Sequence, residues 1–372
     1  MIKPKILSIG YGRHFFTSGN PERTRMELCA QAVTSFDMVI FTNKRDGLET
    51  QTIGPLTLHP TNSRNRVSML IDAFFLAKKL CQQKKIDVLT TQDPFAAGLV
   101  GVTVARFVPV HLVVQEHGDF FSTKYWQQES ITNRVWYAIG LGVLRKADVV
   151  RAVSVRIKLT MKRLYPDTPV TVLPVSIDKE PFLAVKRQVT DTDTFTFLSV
   201  ARFVPQKNIY NLLHAFTAAH QVNPQLRLQL VGTGPLQSFI ASYIEQTYPN
   251  NSPIQLTDWT NDVPSLMQAA DAYVLSSNYE GWARVLLEAM LARLPIVTTD
   301  VGCVGEVLLG GQHGLVVPVD DVTALTDALL RLSTDVELQQ HISHHLATLD
   351  PTTMPGVDVV SYGQQWLRSF GR

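Results

Sequence analysis

The chain has 372 residues, of which 45% are hydrophobic and 18% charged, and its formal net charge is +2. The composition predicts an ordinary soluble protein, and the length, which is too great for one hydrophobic core, predicts two domains. The longest apolar runs, residues 98–105 and 137–144, are about half of the ~20 residues that span a bilayer, so no transmembrane helix is expected.

The first residues and the cysteines bear on the cellular compartment. The start of the sequence lacks the apolar core and small-residue cleavage site of a signal peptide, so a cytoplasmic location is expected. Cys29, Cys81 and Cys303 are an odd set without CxxC or CxxH spacing. They predict reduced, mostly buried thiols and argue against disulfides or a zinc site.

Charge is unevenly distributed along the chain. Residues 1–178 contain 23 Lys and Arg against 14 Asp and Glu, or +9, whereas residues 179–372 contain 11 against 18, or −7. The basic residues of the first half occur as scattered pairs such as Lys78-Lys79 and Lys162-Arg163, not as one polybasic block. Two interpretations stay open: peripheral contact with the inner face of a membrane, or ordinary solvated helix surfaces. No nucleic-acid partner is expected.

Strand-like and helical segments alternate through the first half. Strands are predicted at residues 5–10, 38–42, 57–60, 86–90, 110–115 and 149–152. Helices are predicted at residues 22–33, 67–80, 94–106 and 133–146. Alternation of apolar strands with helices predicts a mainly parallel, doubly wound sheet.

A second alternating series follows a segment rich in Pro, Asp, Lys and Thr. Its strands are predicted at residues 195–200, 226–231, 254–256, 272–275, 296–298 and 315–317. The predicted organisation is an N-terminal Rossmann-like domain (1–178), a linker (179–194) and a C-terminal Rossmann-like domain (195–355), with a cleft between the two domains. The amphipathic tail, residues 356–372, is expected to pack back on the first domain.

Two acidic residues lie on either side of a change in secondary structure. Glu280 falls in a loop after the strand 272–275, and Glu288 falls on the helix predicted at 283–292. Loops at the carboxyl ends of parallel strands bind ligands, and carboxylates accept hydrogen bonds from sugar and ribose hydroxyls. The alternative is a glutamate that complements a helix dipole together with a solvated partner.

Two cations follow the strand 195–200. Arg202 and Lys207 leave its carboxyl end, at the edge of the sheet where Glu280 is expected. A guanidinium and an ammonium together can neutralise a diphosphate. Exposed surface charge is the alternative for each residue taken alone.

An ordered set of motifs resembles the retaining GT-B glycosyltransferases of family four. In the second half these are Arg202 and Lys207, then 231–236, 270–276, Glu280-Gly281 and 288–290, 294–297, Gly302 with Glu306, and Gly314. The first half resembles the family less closely, through a Gly19-bearing loop after the first strand, residues 92–95 and residues 116–119.

The resemblance implies a role for each matched residue. Arg202 and Lys207 would bind the donor diphosphate, Glu288 the ribose and Glu280 the transferred sugar. The implied donor site is completed by Gly232 and by the backbone amides of Gly281, Trp282, Ala283, Arg284 and Val285. His117 would lie near the reacting sugar, and Gly19 would let its loop approach donor or acceptor closely. The catalytic set is thus His117, Arg202, Lys207 and Glu280.

Other residues carry less specific expectations. Trp259 is a candidate for the nucleobase pocket, with ordinary packing as the alternative. Asp93, Arg23 and Arg25 are placed on the acceptor side, with solvated helix charge as the alternative for the two arginines. A structural histidine remains the alternative for His117. The family pattern is broken at Trp282-Ala283 and at Arg293, where Gly is frequent.

The implied activity is transfer of a sugar from a nucleoside-diphosphate sugar to a hydroxyl of a glycan or lipid-linked acceptor, in envelope or exopolysaccharide synthesis. No cofactor and no catalytic metal are expected, because the DxD-like residues 191–193 lie in the linker. Two alternatives stay open: a GT-B-type sugar-nucleotide epimerase and a non-catalytic sugar- or nucleotide-binding protein. A nicotinamide dehydrogenase is disfavoured, since Phe15 occupies the third glycine position of the dinucleotide motif.

Overall fold

A computed structural model describes residues 3–185, 193–357 and 359–371. The chain divides into two compact units, residues 1–176 with 358–372 and residues 177–357. Each unit is built around its own sheet. The prediction of an α/β protein with two Rossmann-like domains is confirmed.

The first unit contains an eight-stranded sheet in the order β3-β4-β2-β1-β5-β6-β7-β8. The strands are β1 (Lys5–Gly10), β2 (Ser35–Ile40), β3 (Gln51–Ile53), β4 (Leu56–Pro60), β5 (Val88–Thr91), β6 (His111–Glu116), β7 (Val149–Ala152) and β8 (Val170–Val172). All neighbours are parallel except β3 and β4, which pair antiparallel. The sequence did not predict β3 or β8, since both are only three residues long and neither is fully buried.

Helices cover both faces of this sheet. They are α1 (Pro21–Gln31), α2 (Arg66–Lys84), α3 (Ala96–Ala105), α4 (Tyr125–Gln128), α5 (Ile131–Leu144) and α6 (Val155–Leu164). Short 3-10 turns occur at Arg13–Phe16 and Lys44–Asp46. The connections through α2, α3, α5 and α6 each run to a strand nearer the β8 edge of the sheet, whereas the connection through α1 runs toward the β3 edge. Because such crossovers are right-handed, the four helices lie on one face of the sheet and α1 lies on the other.

The second unit contains a six-stranded, wholly parallel sheet in the order β11-β10-β9-β12-β13-β14. The strands are β9 (Phe195–Val200), β10 (Leu226–Val231), β11 (Ile254–Thr257), β12 (Ala272–Leu275), β13 (Ile296–Thr299) and β14 (Gly314–Val317). The helices are α7 (Glu180–Leu183), α8 (Ile209–Val222), α9 (Gln237–Thr247), α10 (Val263–Ala269), α11 (Arg284–Leu291), α12 (Val322–Thr334) and α13 (Val336–Ala347). Further 3-10 turns occur at Pro205–Lys207 and Pro351–Thr353.

The C-terminal helix α14 (Val359–Arg368) belongs to the first unit and packs against α1. Trp366 is buried, and its ring centroid lies 4.9 Å from that of Phe36 and 4.8 Å from that of Phe370. These aromatic side chains are part of the same apolar core as Ile6 and Met38. The tail therefore completes the face of the first sheet that α1 covers.

Two residues near α11 adopt left-handed backbone conformations where the sequence departs from the family pattern. Ala283 has φ 57° and Arg293 has φ 58°. Glycine enters this region freely, whereas an L-residue with a Cβ is strained there. The replacement of glycine at these two positions therefore carries a conformational cost.

Restoring glycine at the exposed position is expected to stabilise the protein. The Arg293→Gly variant should raise the free energy of unfolding by about 1 kcal/mol, because it relieves the left-handed strain just after α11. Urea unfolding measures the change, with Arg293→Ala as the control for loss of the side chain. A glycine variant no more stable than the alanine variant would contradict this explanation.

Candidate functional site

Four sequence-predicted loops meet the same edge of the second sheet. Because its strands are parallel, the segments after β9, β10, β11 and β12 all leave at their carboxyl ends. These segments carry Arg202 with Lys207, Gly232, Trp259 and Glu280 respectively. The prediction that Glu280 lies in a loop and Glu288 on a helix is confirmed.

Lys207 and Glu280 form a direct ion pair between the segments after β9 and β12, through Nζ and Oε1. Both side chains are largely buried, at 14% and 9% exposure. Ser277 Oγ donates to the same carboxylate oxygen at 2.6 Å, and Gln206 Nε2 lies 3.5 Å from Oε2. A carboxylate offers about four acceptor positions, so these three donors orient Glu280 and leave it capacity for a ligand hydroxyl.

Further hydrogen bonds hold these two segments in register. The Asn278 N–H donates to Gln206 O at 2.8 Å, and Gln206 Nε2 donates to Tyr279 O at 3.0 Å. Ser276 Oγ donates to Lys207 O at 2.9 Å. The position of the ion pair is therefore set by backbone geometry as well as by charge.

Glu288 lies on α11 and shares a neighbour with Glu280. Burial raises the pKa of Glu288, and Arg284 acts in the opposite direction. Burial, with the nearby Glu288 and Glu280 carboxylates, also raises the pKa of Tyr273, whose hydroxyl donates to Val200 O at 3.0 Å. Both carboxylates thus lie within electrostatic range of the Tyr273 phenol, which belongs to β12 and donates to the last residue of β9.

The side chain of Arg202 is exposed, and its guanidinium makes no hydrogen bond or ion pair with the residues that the structure describes. The Phe203 N–H donates to Thr233 O at 2.9 Å, which holds the segment that carries Arg202 against the loop after β10. A Cβ added at Gly232 would lie 1.8 Å from Ala201 O. Glycine at position 232 is thus required by the close packing of these loops, a structural reason independent of any ligand contact.

The first turn of α11 lacks a side-chain cap. Its N-cap residue is Ala283, which supplies no acceptor for the first amides. Trp282 is buried, and its indole Nε1 has no hydrogen-bond partner among the described residues. Unmet donors of this kind call for an acceptor from elsewhere. Trp259, by contrast, is 52% exposed.

In the first unit, His117 follows β6 and belongs to a chain of polar groups. Its Nε2 lies 2.7 Å from Gln115 Oε1, and the buried Arg151 on β7 also donates to that oxygen. Gln115 Nε2 donates to Thr90 Oγ1 at 2.7 Å. Since Arg151 can only donate, Gln115 presents its oxygen there, and the short contact favours Nε2 of His117 as the donor to it. Arg151 Nη2 lies farther from the same nitrogen, at 3.5 Å.

This arrangement fixes both the tautomer and the charge of His117. Loss of hydration against the protein lowers the pKa of His117, and the cations of Arg151 and Arg25 add to the effect. The residue keeps an exposed surface. His117 is then neutral at pH 7, and its Nδ1 presents a lone pair.

The remaining predicted residues of the first unit do not form one group. Arg23 pairs with Glu27 at 2.8 Å, and Arg25 Nη1 lies 3.5 Å from Ser176 O. Asp93 accepts hydrogen bonds from the Phe95 and Ala97 amides at the start of α3, while burial raises its pKa to about 6. Gly19 has φ 76° and open space around it.

Several contributors were absent from the sequence prediction, and part of the DxD-like motif cannot be placed. Ser277, Gln206, Gln115 and Arg151 were not predicted. Arg151 offered one signal, a charged residue within an otherwise apolar strand. Residues 191 and 192 of the DxD-like motif lie outside the described residues.

The ion pair should show strong energetic coupling. In a double-mutant cycle of Lys207→Met and Glu280→Gln, the coupling in the free energy of unfolding is expected to be about 2 kcal/mol, since each single change leaves a poorly solvated partner. Urea unfolding of the four proteins measures it. The exposed pair Arg331–Asp335, 3.7 Å apart, is the control and should couple by less than about 0.5 kcal/mol. Equal coupling in both pairs would contradict the expectation.

The state of His117 can be measured directly. Nitrogen NMR shifts should show the Nε2–H tautomer in the native protein, with no protonation of His117 near pH 6. Gln115→Glu places a carboxylate against the ring and should raise the pKa of His117. The control, Gln82→Glu on the exposed side of α2, should leave that pKa unchanged. A native Nδ1–H tautomer would contradict the hydrogen-bond assignment.

Comparisons with known proteins agree with this architecture. The family profile described as glycosyl transferases group 1 matches residues 184–345, and that of glycosyltransferase family 4 matches residues 22–181. The UDP-Gal:alpha-D-GlcNAc-diphosphoundecaprenol alpha-1,3-galactosyltransferase of Escherichia coli is 26% identical over 74% of this chain and 74% of its own length. The capsular polysaccharide biosynthesis glycosyltransferase CapM of Staphylococcus aureus is 21% identical over 81% and 82%.

Solved structures share the fold. Anabaena HepE in complex with UDP and glucose has a TM-score of 0.74 at 18% identity, covering 99% of both chains. The sucrose-phosphate synthase of Thermosynechococcus elongatus has a TM-score of 0.76 at 18% identity over the same shares. With the two profiles matching successive parts of the sequence, the chain belongs to the GT-B glycosyltransferases of family four.

Proposed function

We propose that the protein transfers a sugar from a nucleoside-diphosphate sugar to a hydroxyl of a glycan or lipid-linked acceptor, with retention of configuration and without a metal ion. The observation that carries the proposal is the oriented Lys207–Glu280 pair, together with the exposed cation of Arg202 in the same segment after β9, at the carboxyl edge of the second sheet. The HepE structures contain UDP with glucose, or UDP-glucose, which makes UDP the first nucleotide to test.

The chemistry of the second unit suits a departing diphosphate. As the bond from the anomeric carbon to the phosphate oxygen breaks, its electrons go to the diphosphate, and Arg202 and Lys207 would stabilise that charge. Lys207 has three donors and uses one on Glu280, so two remain for phosphate oxygens. The amides of the uncapped first turn of α11 would supply further donors to an anion.

Carboxylates would hold the neutral parts of the donor. Glu280 keeps acceptor capacity for hydroxyls of the transferred sugar, and Glu288 would accept from the ribose. The acceptor hydroxyl would attack the anomeric carbon from the face that the diphosphate leaves, and its proton would pass to the oxygen of the departing diphosphate. Neutral His117, with Nδ1 as an acceptor, would take a hydrogen bond from a sugar hydroxyl and not compensate phosphate charge.

Measurements of nucleotide binding distinguish the residues that would hold the diphosphate from those that would hold the transferred sugar. Arg202→Ala should weaken UDP binding about 10- to 100-fold, since a hydrogen bond to a charged group contributes about 1.5 to 3 kcal/mol. Glu280→Gln should leave UDP binding within about threefold, yet lower turnover of the sugar nucleotide about 100-fold. Calorimetry with UDP and GDP and hydrolysis assays of nucleotide sugars measure these effects.

Matched controls are Arg331→Ala and Glu245→Ala, which change exposed residues of the same unit. Turnover should persist in EDTA, and proton NMR of the product should show the anomeric configuration of the donor. A product with inverted configuration would overturn retention, and conversion of the nucleotide sugar without an acceptor product would favour the epimerase. If neither nucleotide binds, the site assignment is wrong.

A further inference from the structure

One face of the first unit exposes apolar side chains in a regular stripe. Along α2, Val67, Ile71 and Phe75 are 71%, 51% and 63% exposed, and their spacing of four places them on one side of the helix. Phe107, just beyond α3, is 57% exposed, and its ring centroid lies 5.8 Å from that of Phe74. We name Val67, Ile71, Phe75 and Phe107 the apolar stripe.

An open groove of ≈ 420 Å³ runs beside the apolar stripe. It lies between α2 and α3 and is lined by Leu70, Phe74, Leu99 and Val100 as well as by Ile71 and Phe75. Its walls are almost entirely apolar. Such contiguous apolar surface on a folded protein marks an interaction site.

The same face is strongly basic. The helices α2, α3, α5 and α6 together contain nine Lys and Arg residues, of which Lys84 pairs with the buried Asp37, and one acidic residue, Asp72. On the opposite face, α1 carries two Arg and two Glu. Lys78 Nζ lies 4.4 Å from the Phe107 ring centroid, so a positive charge sits directly on the apolar stripe.

The pattern continues along α5 and α6. Ile131 and Leu159 are 79% and 65% exposed. Leu159 lies between Lys158 and Lys162 on a helix that has four basic residues and no acidic one. Apolar and basic side chains are therefore mixed across the whole helical face.

Among residues 3–185, 193–357 and 359–371, no helix combines the length and the hydropathy of a membrane span. We propose that the helical face formed by α2, α3, α5 and α6 binds the surface of an anionic phospholipid bilayer, with the apolar stripe inserted among the lipids. Long basic side chains can bury their methylene groups there and keep their charges at the lipid phosphates.

The charge of this face favours an anionic bilayer over two other possible occupants, a second copy of the chain and a nucleic acid. A second copy of the chain docked through the same face would bring two basic surfaces together, which is unfavourable. A nucleic acid would match the charge but would leave the apolar stripe exposed to water. An anionic bilayer satisfies both features at once. The proposal is independent of the donor chemistry, which concerns the second unit.

Flotation of the full chain with phospholipid vesicles tests the proposal. Binding is expected to vesicles that contain phosphatidylglycerol at about 0.1 M salt, with little binding to pure phosphatidylcholine and release near 1 M salt. The double variant Lys78→Gln/Lys79→Gln should lower partitioning about 25-fold, since each basic residue contributes roughly fivefold. Ile71→Ser/Phe75→Ser should lower it at least about tenfold.

The controls change residues of the same kind elsewhere in the chain. Val222→Ser/Val336→Ser removes side chains that are 72% and 59% exposed in the second unit, and it should leave binding unchanged. Arg293→Gln/Arg331→Gln removes two positive charges from the second unit, and it should likewise leave vesicle binding unchanged. Equal binding to neutral and anionic vesicles would overturn the proposal, as would insensitivity to either pair of changes on α2. A dimer that dissociates in Ile71→Ser/Phe75→Ser, without vesicle binding, would also overturn it.

Discussion

The ion pair between Lys207 and Glu280 is the constraint on which the second unit's site depends. It joins segments that are 73 residues apart in the chain and follow the neighbouring strands β9 and β12. A poorly solvated charge needs a partner, so each residue fixes the other, and Ser277 and Gln206 restrict the carboxylate further. The free protein thus holds an oriented acid and cation before any ligand arrives.

In the first unit, His117 is oriented through a neutral amide and not through an ion pair. Arg151 is buried, and its Nε and Nη1 find no hydrogen-bond partner in the described part of the chain. Arg151 donates to the side-chain oxygen of Gln115 and thereby orients that amide. The same oxygen lies against Nε2 of His117 and favours the Nε2–H tautomer. Because the amide is neutral, it orients the ring without stabilising an imidazolium. An acidic residue at position 115 would orient the ring as well, but would also raise its pKa.

Much of the fold was predictable because it rests on local signals. Apolar strands alternating with helices identified both sheets, and the segment around Glu280 and Glu288 was assigned to loop and helix as found. Strand β3 was missed since its three residues are stabilised by pairing with β4, not by their own pattern. The contacts of Gln206, Ser277 and Gln115 depend on side-chain direction across neighbouring strands, which periodicity does not encode.

The start of α11 shows why the candidate site carries local strain. Side chains of Asn208, Asp262, Asp321 and Asp335 cap other helices of this unit, whereas α11 begins after Ala283 in a left-handed conformation. Gly302 packs closely against this residue, because a Cβ added at Gly302 would lie 2.9 Å from Ala283 Cβ. The left-handed strain disfavours the free protein by about 1 kcal/mol, and no side chain caps the first turn. An anion at the N-terminal end of α11 would accept hydrogen bonds from the first amides of the helix. The strain at Ala283 is therefore consistent with a segment whose conformation serves ligand binding as well as stability.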